Sequence, residues 1–251
     1  MKNWLTPDWP APAHIRAYST LRHQGVSQGA WSSWNLATHV HDSAAHVEQN
    51  RELLVSALQL PSEPVWLDQV HSDRMVLLDD DVSGGNLQAD GSFTRHPARV
   101  CVVMTADCLP VLMTNRAGTE VAAVHAGWRG LAAGIIEKAV QCFQCPAEDM
   151  LVWLGPAIGP GAFEVGDDVR QAFMQTDPMT DSAFIASGHD KYLADIYALA
   201  KRRLQAMGVN AVYGGDHCTV TEVEHFYSYR RDHETGRMAS LIWIEAAPFF
   251  S

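Results

Sequence analysis

The sequence predicts an α+β or mixed-sheet fold in a single domain, and three observations lead to this class. Short, valine-rich apolar runs bounded by turn residues follow one another through the middle of the chain, which is typical of adjacent strands. About four helical segments interrupt them without the strict strand–helix alternation of a Rossmann or barrel fold. The 251 residues show no internal repeat and no obvious linker, and a chain of this length can bury a sizeable core.

The N-terminal part of the chain begins with a proline-rich segment, residues 1–13, that we expect to be irregular. A first strand is predicted at His14–Ser19. Asp42 or Ser43 can cap a helix that runs to about Gln59, because apolar residues recur there near the helical period. The next apolar segments are too short for stable helices and rich in valine, so they favour strands. These strands are predicted at Val65–Val70, Met75–Leu78, Val100–Met104, Val111–Thr114 and Glu120–Val124.

The C-terminal half mixes helices and strands. The segment Leu154–Gly161 is rich in proline and glycine, which predicts a rigid turn. Helical periodicity predicts helices from Leu131 to about Phe143, from Asp167 onward and from Asp190 to Met207, the last closed by Gly208. Strands are predicted at Met150–Leu154, Ala162–Val165, Ala211–Tyr213, Phe226–Tyr229 and Met238–Ile244.

The charge of the chain limits its partners. It carries 29 acidic against 18 basic residues, a formal net charge of -11, and its longest basic run is Lys201–Arg203. Such a surface repels duplex nucleic acid, so we expect no nucleic-acid partner. An anionic substrate, such as a small phosphate-bearing molecule, must therefore meet a local basic pocket.

Apolar stretches and cysteines indicate the compartment. No apolar stretch is long enough for a signal peptide or a membrane span, so we expect a cytoplasmic location and no membrane partner. The five cysteines are an odd number, and in a reducing compartment free or metal-bound thiols are expected rather than disulfides. The sequence leaves the oligomeric state open.

His71, Cys108 and His125 are the best candidates for chemistry, because each closes a predicted strand and opens into a short turn. Two imidazoles and one thiolate suit Zn²⁺ and leave a fourth position for water or substrate. The spacing matches no compact zinc motif, so packing with hydrogen-bonded histidines stays an alternative. A second alternative makes Cys108 a nucleophile activated by His71 or His125, with Asp107 orienting a histidine or accepting a proton.

Two further segments offer anion or base contacts. After His125, glycines allow close backbone approach at a predicted helix start beside Arg129, which suits an anion, although a surface arginine in a tight turn explains the pattern equally well. The segment from Phe226 to Arg237 combines aromatic rings with three arginines; these can stack on a base and bind phosphate, or lie in solvent. His39 would be an extra metal ligand only if folding brought it near.

Motifs spread over nearly the whole chain, from about His14 to Ile244, closely resemble the bacterial laccase-domain family. This family has been called multicopper polyphenol oxidoreductase and later purine nucleoside phosphorylase with adenosine deaminase activity. The matching motifs are Asn35–Leu36 with His39, Gln69–His71, Thr105–Pro110, His125–Gly130, Gly155–Gly159 and Ser228–Asp232.

The resemblance implies a single α+β domain over residues 1–251, with mixed sheets packed together and helices outside. It implies a zinc ion held by His71, Cys108 and His125, with copper as the alternative metal. It also implies phosphorolysis of adenosine, inosine, guanosine and methylthioadenosine, and hydrolytic deamination of adenosine. Cys108 is then better explained as a thiolate ligand than as a nucleophile.

Roles for other residues follow from this chemistry as hypotheses. Arg129, with Arg51 or Arg230, could hold phosphate against C1′ of the nucleoside while the purine leaves. Asp107 is a candidate proton shuttle. Asn35 and Gln69, which lie in two of the matching motifs, are candidate substrate-binding residues.

Three other functions compete with the phosphorylase. A copper-dependent polyphenol oxidase would need more histidine ligands than the few that accompany Cys108. A hydrolase that edits UDP-linked muramoyl amino acids, a role linked to relatives of the family, would use Cys108 or metal-bound water. A non-catalytic zinc-binding protein would have no use for the polar loops around the three ligands.

Overall fold

Two β-sheets packed face to face form the centre of the computed structural model, which describes residues 3–79 and 87–246. The strands are β1 (Trp4–Leu5), β2 (Ile15–Thr20), β3 (Met75–Leu77), β4 (Gly91–Thr94), β5 (Cys101–Thr105), β6 (Leu109–Asn115), β7 (Val121–Ala126), β8 (Met150–Leu154), β9 (Glu164–Gly166), β10 (Phe184–Gly188), β11 (Lys191–Ala194), β12 (Val212–Gly214) and β13 (Met238–Ile244). The α-helices are α1 (Ala44–Leu58), α2 (Trp128–Ala133), α3 (Ile135–Cys142), α4 (Asp167–Met174), α5 (Ile196–Ala206) and α6 (Tyr229–Asp232). Short 3-10 turns lie at Gly29–Trp31, Ala147–Asp149 and Pro178–Ala183.

The first sheet has the antiparallel order β1–β2–β13–β5. Side chains alternate along its strands, so that Val102 faces α1 and its neighbour Val103 faces the second sheet. Leu54 of α1 is fully buried against the outer face. Burial of such an aliphatic side chain stabilises the fold by about 1.5–3 kcal/mol.

The second sheet has the order β12–β8–β6–β7–β4–β3 and is mixed, since its outer pairs are parallel and its central pairs antiparallel. All seven residues of β6 are buried, because the first sheet covers one face and helices cover the other. Leu112 faces the first sheet, whereas Val111 packs in the core that includes α3 and α5. A small third sheet, β10–β11–β9, adds Phe184 and Val165 to that core.

The predicted fold class, a single α+β domain with packed mixed sheets and flanking helices, is confirmed by this architecture. The structure gives β8 and β13 the predicted bounds, and α1 begins at Ala44 as the capping pattern predicts. The segment 1–13 contains the two-residue strand β1, which pairs with β2. No helix among the described residues is long and apolar enough to cross a membrane.

Three predicted elements are wrong. Val65–Val70 forms no strand, because it runs beside the edge of β5 and meets it through an isolated bridge and through the side chain of Gln69. Phe226–Tyr229 forms no strand either, since Ser228 accepts a hydrogen bond from the Arg231 backbone N–H and caps α6. The helix predicted from Asp190 starts only at Ile196, and β11 takes the preceding residues.

The helix predicted from Leu131 to Phe143 is interrupted. It begins earlier, at Trp128, and Gly134 with φ of 104° separates α2 from α3. A left-handed residue ends an α-helix, and glycine adopts it without steric cost. The strands β4 and β10 were not predicted.

Candidate metal centre

His71, Cys108 and His125 come together at one end of the second sheet. Their metal-binding atoms all lie within 4.8 Å of one another, and Cys108 Sγ is 3.8 Å from His71 Nε2. The two imidazole rings meet edge to face, with an interplanar angle of 77°. Among the described residues, no other group of three or more histidine, cysteine or acidic side chains has this spacing. The fold therefore joins residues that the sequence separates widely.

The backbone holds each of the three residues in a different way. His125 is the penultimate residue of β7. Cys108 lies in the turn that carries the chain from β5 in the first sheet to β6 in the second. His71 lies in a loop with φ of 61°, so the expectation that it closes a strand is wrong. A left-handed residue other than glycine is costly, and other contacts must hold this loop in place.

Asp90, a residue that the sequence analysis missed, supplies those contacts. Its fully buried carboxylate accepts hydrogen bonds from the backbone N–H groups of His71 (2.9 Å) and Ser72 (2.6 Å) and from the Ser72 hydroxyl (2.8 Å). The same carboxylate lies 2.8 Å from Nδ1 of His125. Because Nδ1 is engaged, the other ring nitrogen of His125 is left for a metal ion. One carboxylate therefore fixes both histidines.

Asp107 anchors the turn of Cys108 in a similar manner. It is buried, with φ of 89°, and its two carboxylate oxygens accept hydrogen bonds from the Thr219 hydroxyl and from the backbone N–H of Arg230, both at 2.6 Å. Both oxygens are therefore engaged by neighbours. These bonds tie the Cys108 turn to the C-terminal segment that contains α6.

Gly127 makes room for the three residues. A Cβ atom at this position would lie 2.8 Å from His71 Cδ2 and 3.1 Å from Cys108 Sγ. Such contacts are shorter than van der Waals separation, so a side chain here would displace the ligands. The absence of a side chain lets the β7–α2 turn lie directly against the group.

The charges and hydrogen bonds around Cys108 favour the thiolate form of its side chain. Burial raises the pKa of Cys108, but the charge of His125 and hydrogen bonds with both histidines lower it to about 6. Burial lowers the pKa of His125, while Cys108 and Asp90 together raise it to about 9. Burial raises the pKa of Asp90, and hydrogen bonds from His125 and Ser72 lower it to about 2. The thiolate is the form of cysteine that binds metals.

These residues fit a metal ion. The donors are one thiolate and two imidazoles, which is a common set for a zinc ion with an open fourth position. The 3.8 Å between Cys108 Sγ and His71 Nε2 is close to the roughly 3.6 Å expected between tetrahedral ligands with zinc bonds of about 2.1 and 2.3 Å. Among the described residues, no further cysteine or histidine supplies a fourth ligand to this group.

Two cavities meet at the group, and both are lined by His71, Ala106, Cys108 and Tyr229. The first, which we call the polar cavity, has a volume of about 390 Å³ and is also lined by His39, Gln69, Met104, Thr105, His125 and Arg237. The second, which we call the aromatic cavity, has a volume of about 230 Å³ and is also lined by Asp107, Trp128, Arg129, Ile158, Phe163, Ile196 and Arg230. A ligand in either cavity would reach the candidate metal position.

The structure places some of the candidate substrate residues at the two cavities and others away from them. Arg129 and Arg230 both line the aromatic cavity; the first stacks on Trp128 and the second donates from Nη1 to the Glu164 carbonyl (2.9 Å). Gln69 lines the polar cavity, but its side-chain amide is bonded to the backbone of Met104. Its Nε2 donates to the Met104 carbonyl, and its Oε1 accepts from the Met104 N–H.

Arg51 and Asn35 line neither cavity. The guanidinium of Arg51 stacks on Trp66, with 3.9 Å to the ring centroid. The amide of Asn35 is fully buried, and its oxygen accepts a hydrogen bond from the backbone N–H of Arg237 at 3.0 Å. From the sequence, Tyr229 and Arg237 are recognisable only as parts of a segment that combines aromatic rings with arginines.

The fold and the site define an α+β protein with an open thiolate and imidazole group suited to a metal ion. A sequence model of the family described as multi-copper polyphenol oxidoreductase laccase matches residues 16–245, and the chain belongs to this family. The resemblance that the motifs carry is thereby confirmed.

Curated relatives match the chain over almost its full length. It is 54% identical over 244 residues to purine nucleoside phosphorylase YfiH of Escherichia coli K12, covering 97% of this chain and 100% of the relative. It is 50% identical over 243 residues to a purine nucleoside phosphorylase of Haemophilus influenzae, covering 96% and 99% of the two chains.

Solved structures share the fold. A crystal structure of a Neisseria meningitidis protein superimposes with a TM-score of 0.94 at 50% identity, covering 98% of this chain and all of the other. The structure of YlmD from Geobacillus stearothermophilus gives a TM-score of 0.91 at 30% identity, covering 98% and 97%.

Proposed function

We propose that this protein is a metal-dependent purine nucleoside phosphorylase, which transfers the ribosyl group of adenosine, inosine, guanosine or methylthioadenosine to phosphate. The observation that carries the proposal is the open Cys108, His71 and His125 group at the junction of two cavities, in a chain about half identical to relatives that bear this enzyme name. Two cavities that share one reactive group suit a reaction of two substrates. The whole chain then acts as one catalytic domain.

Zinc is the metal that the donor set favours. A thiolate with two imidazoles and an open position is the ligand pattern of catalytic zinc, and classical copper oxidases use more histidines. When bound by His71, Cys108 and His125, a zinc ion would supply Lewis acidity toward a substrate oxygen. Metal analysis of the purified protein tests this choice, because stoichiometric copper with oxygen uptake on phenols would instead support the oxidase.

The aromatic cavity is the better match for the purine. Trp128 and Phe163 offer flat apolar surfaces, and Arg129 and Arg230 lie at the same cavity. The nucleoside C1′ would then lie near Cys108, which both cavities share. Asp107 contributes by holding the Cys108 turn, since both of its oxygens are bonded to neighbours.

A phosphorolysis assay tests the proposal. The zinc-loaded protein with inosine and phosphate should release hypoxanthine and ribose 1-phosphate, and release should stop when phosphate is omitted. Cys108→Ala should lose the activity and most bound zinc, whereas Cys142→Ala, at a partly buried cysteine on α3, should keep both. Full activity in Cys108→Ala would refute the site, and free ribose without a phosphate requirement would indicate a hydrolase instead.

Other activities remain predictions. Adenosine deamination, which the family resemblance implies, is tested by incubating the same protein with adenosine and measuring inosine and ammonia. Turnover of UDP-linked muramoyl amino acids would favour the editing hydrolase. Tight zinc with no turnover on any of these compounds would favour a non-catalytic zinc protein. We also propose a cytoplasmic location, which cell fractionation tests.

A further inference from the structure

Arg237 forms no salt bridge with a carboxylate in the described part of the chain. It lines the polar cavity, and among the described residues no carboxylate lies within ion-pair distance of it. Its Nη1 donates to the carbonyls of Thr235 (2.9 Å) and Gly236 (3.0 Å), while Nε and Nη2 make no hydrogen bond within the described part of the chain. Burial lowers the pKa of Arg237 and the charges of Cys108 and Asp107 oppose it, so this guanidinium is desolvated without full compensation.

The backbone fixes Arg237 in this position. Its N–H donates to the buried amide oxygen of Asn35, and Gly236 packs so closely that an added Cβ would lie 2.7 Å from the ring of Tyr227. The side chain of Arg237 therefore extends from a rigid turn. Two carbonyls hold its Nη1, while Nε and Nη2 have no hydrogen-bond partner among the described residues and can donate to a ligand. A fixed, forked donor of this kind matches phosphate oxygens.

The surroundings of Arg237 are rich in imidazole. His39 lines the polar cavity with it, and burial together with the charge of Arg237 lowers the pKa of His39. An adjoining cavity of about 260 Å³ is shared by His39, Tyr229 and Arg237 and adds His41, His233, Thr235 and Glu234. The Thr235 hydroxyl is buried and has no hydrogen-bond partner within the described residues. In a chain with a net charge of -11, this local excess of donors is a candidate anion site.

The other arginines near the site are less suited to phosphate. Arg51 stacks on Trp66 and lines neither cavity. Arg129 and Arg230 lie at the aromatic cavity, where the flat apolar surfaces suit the base. Arg237 alone among these four lines the polar cavity.

We propose that Arg237, with His39 as a second donor, binds the phosphate co-substrate in the polar cavity, while the purine lies in the aromatic cavity. This proposal rests on the proposed phosphorylase function. In the reaction, a phosphate oxygen forms a bond to C1′ as the bond from C1′ to the purine nitrogen breaks. The electron pair leaves with the purine, which takes up a proton, so ribose 1-phosphate and free base result.

Steady-state kinetics on zinc-loaded enzyme test the site. Arg237→Met should raise the KM for phosphate by about 10- to 100-fold, the effect of losing a charged hydrogen bond, with little change in the KM for inosine. The matched control is Arg116→Met, which removes the same charge at an exposed position beyond the other end of β6 and should change neither constant. Arg237→Lys keeps the positive charge but loses the forked arrangement of N–H donors, so it should give an intermediate KM for phosphate. It replaces Arg237→Met in the test if that variant does not fold.

Equilibrium dialysis of labelled phosphate, without nucleoside, separates this proposal from the proposed function. The wild-type protein should bind phosphate, arsenate should compete, and Arg237→Met should bind it about 10- to 100-fold more weakly. Loss of binding in that variant supports the site even if the wild type turns over no nucleoside, in which case the phosphorylase proposal fails by itself. Unchanged phosphate binding and phosphate KM in folded Arg237→Met or Arg237→Lys would overturn the site and leave the phosphorylase proposal standing.

Discussion

Two buried aspartates support the candidate metal centre, and they do so in different ways. Asp90 touches the ligands themselves, through Nδ1 of His125 and the backbone N–H of His71. Asp107 makes no hydrogen bond to an imidazole of the described residues; it holds the turn of Cys108 through Thr219 and Arg230, which belong to the C-terminal part of the chain. Asp90 therefore controls the chemistry of the ligands, while Asp107 controls the position of the segment that carries one of them.

The largest difference between the two aspartates should appear in metal affinity. Asp90→Asn places an amide N–H₂ against donors that need an acceptor, so His125 loses its orientation and its basicity. We expect zinc affinity to fall by about 10- to 100-fold, as is usual when the partner of a metal-bound histidine is removed. Competition with a chromophoric chelator measures it. Asp107→Asn is the matched control and should change zinc affinity by much less; equal losses in the two variants would contradict the distinction.

The second prediction concerns stability. Asp107→Asn leaves the Arg230 N–H or the Thr219 hydroxyl without its carboxylate acceptor, and an unsatisfied buried group costs about 1–3 kcal/mol. We expect the free energy of unfolding of the metal-free protein to fall by about that amount, measured by urea denaturation. Thr219→Val, which removes the same hydrogen bond from the other side, should give a loss of similar sign. If both variants had the wild-type free energy of unfolding, the hydrogen bonds from Asp107 to the C-terminal segment would not contribute to stability.

The smallest expected effect is a shift in thiol reactivity. Because the Cys108 pKa is lowered to about 6, the thiolate fraction of the metal-free protein rises as the pH passes upward through about 6. The rate of alkylation by iodoacetamide should therefore reach half its plateau near pH 6, whereas buried Cys101, with a pKa raised to about 12, should stay unreactive.

The same pH profile separates the two aspartates. Asp90→Asn weakens the charge on His125 that stabilises the thiolate, so the midpoint for Cys108 should move to higher pH, toward that of an ordinary thiol. Asp107→Asn should leave the midpoint near its wild-type value. Mass spectrometry of the alkylated peptides provides the measurement, and a midpoint that moves only in Asp107→Asn would reverse the comparison.

The sequence was enough to predict the fold class and the three ligand candidates. Both depend on local signals, namely valine-rich runs and cysteine or histidine residues near turns. Family motifs then joined His71, Cys108 and His125 into one group, and the structure brings them together. Metal analysis tests the prediction of zinc rather than copper.

Asp90 and Arg237 could not be recognised in the same way. Asp90 precedes Gly91, and this dipeptide is typical of an exposed turn, yet tertiary packing buries it fully. The role that we propose for Arg237 depends on the lack of an ion-pair partner among residues 3–79 and 87–246, which only the folded chain shows. The segment Val65–Val70 looked like a strand because its composition suits one, although the side chain of Gln69 makes the contact that backbone pairing would have made.

The turn of Cys108 is also the point where the chain crosses from one sheet to the other. His125 belongs to the second sheet, while the residue before the turn, Thr105, still pairs with β13 in the first. A metal ion bound here would hold the end of this crossing in place, because it would join Cys108, the residue before β6, to His125 of the neighbouring strand β7. The ion that prepares the site for catalysis would then also fix the place where the chain leaves one sheet and enters the other.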